Sequence, residues 1–420
     1  MDEKSKRLLR AYRGGLLNRR TFLQAAAALG AGAMLPACKK ESKSPPPVGA
    51  AAPAPPEPVV QMAQFPEKTN LILLTDRPPQ LETPLEYFRQ DLTPNDAFFV
   101  RWHLSMIPTK VDLNEFRLNV GGHVDNELTL SVDDLRKQFD PFSIVAVNQC
   151  SGNSRSFFSP RVFGGQWGNG AMGNAKWTGV RLRDLLRKAK VKDLAVDVGF
   201  AGLDKAPLPT TPSFAKSLAF DHAMDGEVMV AYEMNDAPLP MLNGFPLRLI
   251  VPGWYGTYWV KALTQITVLP EKFKNFWMDK AYRIPNNPQI NESPTALAKE
   301  TIPISRMLVR SLFVRPGPEE HIFAGKEYPV EGLAFDGGSG IKMVEVSADG
   351  GTNWYAANLD GDLGKYSWRR WRFGWTPKSS GTYKLMVRAT SNTGETQQTS
   401  QWNRSGYARN IIEQLSVTVG

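Results

Sequence analysis

Residues 145–155 read Val145-Ala146-Val147-Asn148-Gln149-Cys150-Ser151-Gly152-Asn153-Ser154-Arg155. An apolar run enters a cysteine and leaves through a glycine-containing turn that carries an arginine. That is how a buried strand delivers one side chain to a loop. Three roles are open to such a thiol. It can be a small buried hydrophobe. It can be a nucleophile, although no histidine lies nearby in sequence to activate it. It can be a soft thiolate ligand for a metal. The segment alone does not choose among them. The 420 residues hold only one other cysteine, Cys38. A disulfide scaffold, a multi-cysteine zinc site and a cysteine-ligated iron–sulfur cluster are therefore excluded. No Cys-x-x-Cys-His occurs, so the chain attaches no c-type haem of its own. His103, His123, His222 and His321 never fall at zincin spacing.

On either side of this segment, residues 64–302 mix two periodicities. Asn114–Val120, Val196–Phe200 and Leu247–Pro252 read as strands. Ser131–Gln138, with a serine cap, and Leu182–Lys188 read as helices. Dense Gly and Pro make the loops many, and an α+β domain with a loop-built site is expected. From residue 303 the pattern becomes period two. Tyr383, Leu385, Val387 and Ala389 alternate with more polar neighbours, as do Leu415, Val417 and Val419. Ile341–Ser347 is another strand, followed by the turn Asp349-Gly350-Gly351. Residues 303–420 are expected to form an immunoglobulin-like β-sandwich.

The formal charge is +9, but residues 1–20 alone hold seven Lys/Arg against Asp2 and Glu3. They account for +5 of it, and the modest remainder gives little support to nucleic-acid binding. The same stretch contains Asn18-Arg19-Arg20-Thr21-Phe22-Leu23-Gln24, then an uncharged run to Ala37. That run is shorter than the ~20 residues of a spanning helix. Paired arginines before a short apolar run read as a twin-arginine export signal over residues 1–37, and the expected location is the periplasm. Such export carries folded proteins, which points to a complex cofactor inserted beforehand. Leu35-Pro36-Ala37-Cys38 resembles a lipoprotein processing site, with a lipid anchor expected at Cys38. The Pro/Ala-rich segment 38–63 would then be a semi-rigid tether.

Farther along, residues 163–182 contain Gly168-Asn169-Gly170-Ala171, then Trp177-Thr178-Gly179-Val180. With Cys150-x-Gly-Asn-x-Arg155, these motifs resemble the sulfite oxidase family, and its bacterial sulfite dehydrogenases in particular. Other blocks follow in the family's order: Arg101-Trp102-His103, Asn243-Gly244-Phe245-Pro246-Leu247-Arg248, Val260-Lys261, Trp277 with Tyr282, Trp368-Arg369-Arg370-Trp371 and Trp402-Asn403-Arg404. The resemblance covers roughly residues 65–420. Where vertebrate members carry a histidine or basic residue, this chain has Asn243, and their haem domain has no counterpart.

The resemblance implies a sulfite-oxidase-type molybdopterin domain followed by a dimerisation-type sandwich. It implies an oxo-molybdenum centre with one molybdopterin, ligated by Cys150. His103, Asp204, Asn243, Arg248, Val260 and Lys261 would bind the cofactor. Arg101, Arg155, Arg369 and Tyr282 would be catalytic. The implied activity is oxidation of sulfite to sulfate, with electrons leaving singly to a c-type cytochrome. A homodimer through the C-terminal domain is also implied. Two alternatives are a related sulfoxide reductase or sulfane dehydrogenase, and a non-enzymatic lipid-anchored binding protein.

Overall fold

The helix expected at Ser131 starts there for a local reason. Ser131 Oγ accepts from the Asp134 N–H at 3.0 Å, and the Asp134 carboxylate accepts from the Ser131 N–H at 2.9 Å. This reciprocal cap satisfies donors that a helix start leaves bare, and Val132–Gln138 follows. Leu182–Ala189 is the second helix. It buries Leu182, Leu185, Leu186 and Ala189 on one stripe. The computed structural model describes residues 62–65 and 67–420. The export signal, Cys38 and nearly all of the Pro/Ala segment lie outside the described residues.

The run leading to Cys150 is strand Phe142–Gln149. It pairs antiparallel with Met172–Arg181 from Phe142 opposite Gly179 to Gln149 opposite Met172. Met229–Met234 lines the other edge of Met172–Arg181 and carries Arg248–Ile250 and Ala237–Pro238 beyond it. The approach at Gly179 is close enough that a β-carbon there would collide with the Val230 carbonyl. A second five-stranded sheet runs Ala215–Ala219, Asp197–Gly202, Leu263–Leu269, Leu118–Gly122, Leu128–Leu130. Its one parallel pair joins Leu263–Leu269 to Leu118–Gly122. The strand expected from Asn114 starts only at Leu118. Asp112 Oδ1 accepts the Asn114 N–H, and Asp112 O accepts the Glu115 and Phe116 N–H groups, which closes a turn first. A four-stranded sheet of Met62–Phe65, Lys68–Asp76, Pro79–Glu82 and Val100–Arg101 precedes these.

The C-terminal region is a β-sandwich. One sheet holds Arg310–Arg315, Tyr328–Phe335, Arg369–Trp375 and Asn358–Leu359. The other holds Tyr355–Ala356, Ile341–Ser347, Gly381–Ser391 and Glu413–Val419. Val330, Val344, Trp371, Leu385 and Val387 meet between them. The main core also reaches into this region: Leu312, Val314, Leu333 and Phe335 belong to the same apolar cluster as Trp177 and Leu249. The architecture is thus α+β followed by a sandwich, with a shared apolar contact that holds both around the cysteine loop.

Candidate functional site

The chain reverses at Cys150. The Cys150 N–H donates to Ala171 O at 2.9 Å, and Cys150 O accepts from the Asn153 N–H at 3.0 Å. Ser154 then takes φ 68°, a left-handed conformation that costs a non-glycine residue. The sandwich holds this loop from outside. The Ala408 N–H donates to Ser151 O at 3.1 Å, and Arg310 Nη2 donates to Ser154 Oγ at 2.6 Å. The thiol is half-buried and free.

The thiol opens on a pocket whose walls include Arg101, His103, Asn148, Ser151, Arg248, Thr257, Lys261 and Tyr282. Six buried polar atoms on five of these side chains have no hydrogen-bond partner among the described residues: Arg101 Nη1, Asn148 Nδ2 and Oδ1, Ser151 Oγ, Arg248 Nε and Thr257 Oγ1. Buried polar atoms are rarely left bare, and a cluster around one cavity marks where a polar ligand belongs. A β-carbon at Gly256 would stand 2.9 Å from Asn148 Oδ1, so glycine keeps that wall open.

The charges tell the same story. Arg248 lies over Trp177 and Trp259, 5.4 and 5.9 Å from the ring centroids. Burial pushes it down to about 9. Lys261, over Trp102 at 4.8 Å, is driven well below its ordinary range by burial and then by Arg248 and Arg101. No carboxylate forms an ion pair with Arg101, Arg248 or Lys261 among the described residues. Cations in a poorly solvated wall without ion-pair partners call for an anion, and a pterin phosphate with thiolate sulfurs meets that need. The residues present fit molybdopterin.

Tyr282 sits at φ 57°. Its hydroxyl and His103 Nε2 share a 2.7 Å hydrogen bond. His103 stacks on Phe214 with centroids 3.7 Å apart. Burial, then Arg101, Lys261 and Lys216, hold its basicity well down, so the imidazole is neutral. Burial also pushes the Tyr282 phenol upward, so it keeps its proton. Tyr407 of the C-terminal region stacks on Tyr282, 3° from parallel, at 5.3 Å.

The other expected site residues divide. Asp204 lies off the pocket wall. Burial raises it to about 6, against the pull of Lys261 and Arg101. Asn243 lines the pocket, but Lys68 Nζ donates to its Oδ1 and its Nδ2 donates to Phe99 O. Val260 is buried in apolar surroundings, with its N–H on Tyr258 O and its C=O accepting from the Leu249 N–H. It does not face the pocket, although Lys261 beside it does. Arg155 donates through Nε and Nη2 to Ser405 O and through Nη1 to Gly165 O. It ties the cysteine loop to the sandwich. Arg369, expected with Arg101 among the catalytic residues, does not line the pocket. Arg369 opens a sandwich strand and donates to Asp360 O and Ile341 O, so its guanidinium is spent inside that region. Asn148, Ser151 and Thr257 were not foreseen as wall residues. Nothing in a linear reading separates them from ordinary polar residues.

Residues 103–277 match the oxidoreductase molybdopterin binding domain, residues 301–419 the Mo-co oxidoreductase dimerisation domain, and residues 16–36 the twin-arginine translocation pathway signal sequence. The pocket, the thiol and these matches define a molybdopterin-binding oxidoreductase class, exported through the twin-arginine route. Within that class the chain belongs to the sulfite oxidase family. It is 35% identical over 326 residues to the mitochondrial sulfite oxidase of Macaca fascicularis, covering 74% of this chain and 58% of that protein. It is 33% identical over 362 residues to the sulfite oxidase of Gallus gallus, covering 81% and 76%. The crystal structure of the sulfane dehydrogenase SoxCD from Paracoccus pantotrophus superposes with TM-score 0.72 at 25% identity, over 88% of this chain and 92% of that one. The chain spans about three fifths of the length of its mammalian relatives. The signal match stops at residue 36, and the acylation expected at Cys38 lies outside the described residues.

Proposed function

We propose that this chain oxidises sulfite to sulfate in the periplasm and passes the electrons one at a time to a c-type cytochrome. The overall change is sulfite and water to sulfate, two protons and two electrons. The observation that carries the reading is the set of cations without an ion-pair partner among the described residues, and of bare polar atoms, around the Cys150 thiol. In this reading Cys150, as thiolate, is the metal's single protein ligand, a role that soft sulfur suits. The bound cofactor supplies the two-electron chemistry and the oxygen that ends on sulfur. Arg248 and Lys261 neutralise the phosphate and pterin edge, Arg by a forked contact and Lys as a point charge. Arg101, with Nη1 uncommitted, holds the sulfite dianion. Tyr282 keeps its proton and therefore donates to the anion, while neutral His103 orients its hydroxyl. Asp204 offsets part of the charge of Lys261 and Arg101. Residues 301–419 pair two copies of the chain.

The test is sulfite-dependent reduction of a cytochrome c or ferricyanide by protein expressed with pterin synthesis intact. The likeness to a sulfane dehydrogenase favours one second reading, a sulfane carrier as substrate. Turnover with a sulfane carrier and none with sulfite would select it. Activity only in sulfoxide-dependent oxidation of a reduced dye would select the reductase. Molybdenum far below one per chain would select a non-enzymatic binding protein.

A further inference from the structure

The segment ahead of the molybdopterin-domain match takes a direct hold on the pocket wall. Met241–Asn243 is a single 3-10 turn, and Leu242 and Asn243 line the pocket. Glu67 and Lys68, adjacent in sequence, grip it together. The Glu67 carboxylate accepts the Met241 and Leu242 N–H groups at 2.6 and 2.5 Å. Lys68 Nζ donates to Asn243 Oδ1 and, at 2.6 Å, to Asn95 O. Arg248 Nη1 donates to the Asn243 backbone carbonyl at 3.0 Å. Asn243 thus joins two buried cations.

Lys68 is 8% exposed and forms no ion pair among the described residues. Its two acceptors are neutral amide oxygens, and Glu67 beside it is spent on backbone amides. Burial pushes the ammonium down to about 7, with Glu67 and Asp96 opposing and Arg248 adding to the shift. A desolvated ammonium on neutral acceptors alone is an expensive way to hold an asparagine. An anion in the adjoining pocket would offset that cost, through the field and through the orientation of Asn243.

We propose that Lys68, clamped with Glu67 onto the Met241–Asn243 turn, is a positioning residue for the bound cofactor: it orients Asn243 and adds a positive charge behind the anionic ligand. The inference rests on the molybdopterin assignment but not on sulfite as the substrate. Lys68 belongs to strand Lys68–Asp76, outside the span 103–277 that the binding domain matches.

The experiment measures cofactor retention. Wild type, Lys68→Met and Lys68→Gln are purified as holoprotein, dialysed at low and at high salt, and assayed over time for molybdenum and released pterin per chain. Glutamine keeps a donor for Asn243 without the charge. The melting temperature of each cofactor-free form controls for folding. The expected result is cofactor loss at least about tenfold faster for Lys68→Met, with Lys68→Gln intermediate and the cofactor-free melting temperatures no lower than wild type. Equal retention in all three proteins overturns the proposal. So does equal loss from both variants accompanied by equally lowered melting temperatures, because that is a packing defect. If Lys68→Met does not fold, Lys68→Gln decides alone. Wild-type protein that carries no molybdenum would sink the cofactor assignment instead. Loaded wild type that ignores sulfite would sink only the substrate.

Discussion

Two buried arginines in this molecule have opposite surroundings. Arg310, at the start of the sandwich, is 1% exposed and places Nη2 2.6 Å from Glu413, with Ser154 and Asn169 as further acceptors. Arg248, at the pocket, is 3% exposed and has no carboxylate partner; a backbone carbonyl and two indole faces surround it. The first charge is paired with a carboxylate, which it shares with Arg409, and acts as a structural rivet, fastening the cysteine loop to the sandwich. The second is balanced by nothing in the described chain. A domain tolerates such a deficit when a ligand supplies the missing charge. The contrast separates scaffold cations from site cations on chemistry alone.

The largest effect should come from the thiol. Cys150→Ser is expected to lower sulfite turnover at least about a hundredfold, while circular dichroism and the cofactor-free melting temperature stay near wild type. Normal turnover in that variant would remove the ligand assignment. Next comes the balanced cation. Glu413→Gln strips Arg310 and Arg409 of their shared carboxylate, and urea unfolding should show a loss of about 3–5 kcal/mol. The unbalanced cation should behave the other way. Arg248→Met should leave the cofactor-free chain as stable as wild type or more so, yet strip molybdenum from the purified protein. A stability loss matching that of Glu413→Gln would erase the distinction between the two sites.

Arg101→Gln should raise KM for sulfite roughly tenfold, about one charge-assisted hydrogen bond, with a smaller change in kcat. The smallest effect concerns pH. Lys68 and Lys216 are each pushed by burial down to about 7, from an ordinary 10.5. Between these values the unfolded chain binds more protons than the folded one, so the two lysines make stability rise with pH from about 7 upward. Melting of the cofactor-free protein from pH 7 to 9 should show a shallower rise, or a steeper fall, in Lys216→Met than in wild type. An unchanged slope would mean that Lys216 is not desolvated as the structure shows.

The strand into Cys150, the Ser131 cap and Ile341–Ser347 were legible because each shows as a pattern within one short segment, an apolar run or alternation for the strands and a Ser/Asp pair for the helix start. The cationic blocks at Arg101, Arg248 and Lys261 were legible through the family resemblance. Arg369 misled for the same reason that it attracted notice. An arginine in a matching block carries no label for the carbonyls it will reach, and strand pairing turned this one toward Asp360 and Ile341. Lys68 and Tyr407 gave no signal at all. Lys68 stands 175 residues from Asn243, and Tyr407 stands 125 residues from the Tyr282 ring on which it stacks.

Export, the lone thiol beyond residue 38, the change of periodicity near residue 303 and the types of residue that line the pocket all follow from the order of amino acids. Those features depend on local pattern and on chemistry that a side chain carries anywhere. Which cations stay unpaired follows from folding alone. Whether a guanidinium meets a carboxylate, a carbonyl or an empty pocket depends on strands brought together from distant parts of the chain, and burial turns that meeting into either a rivet or a binding site.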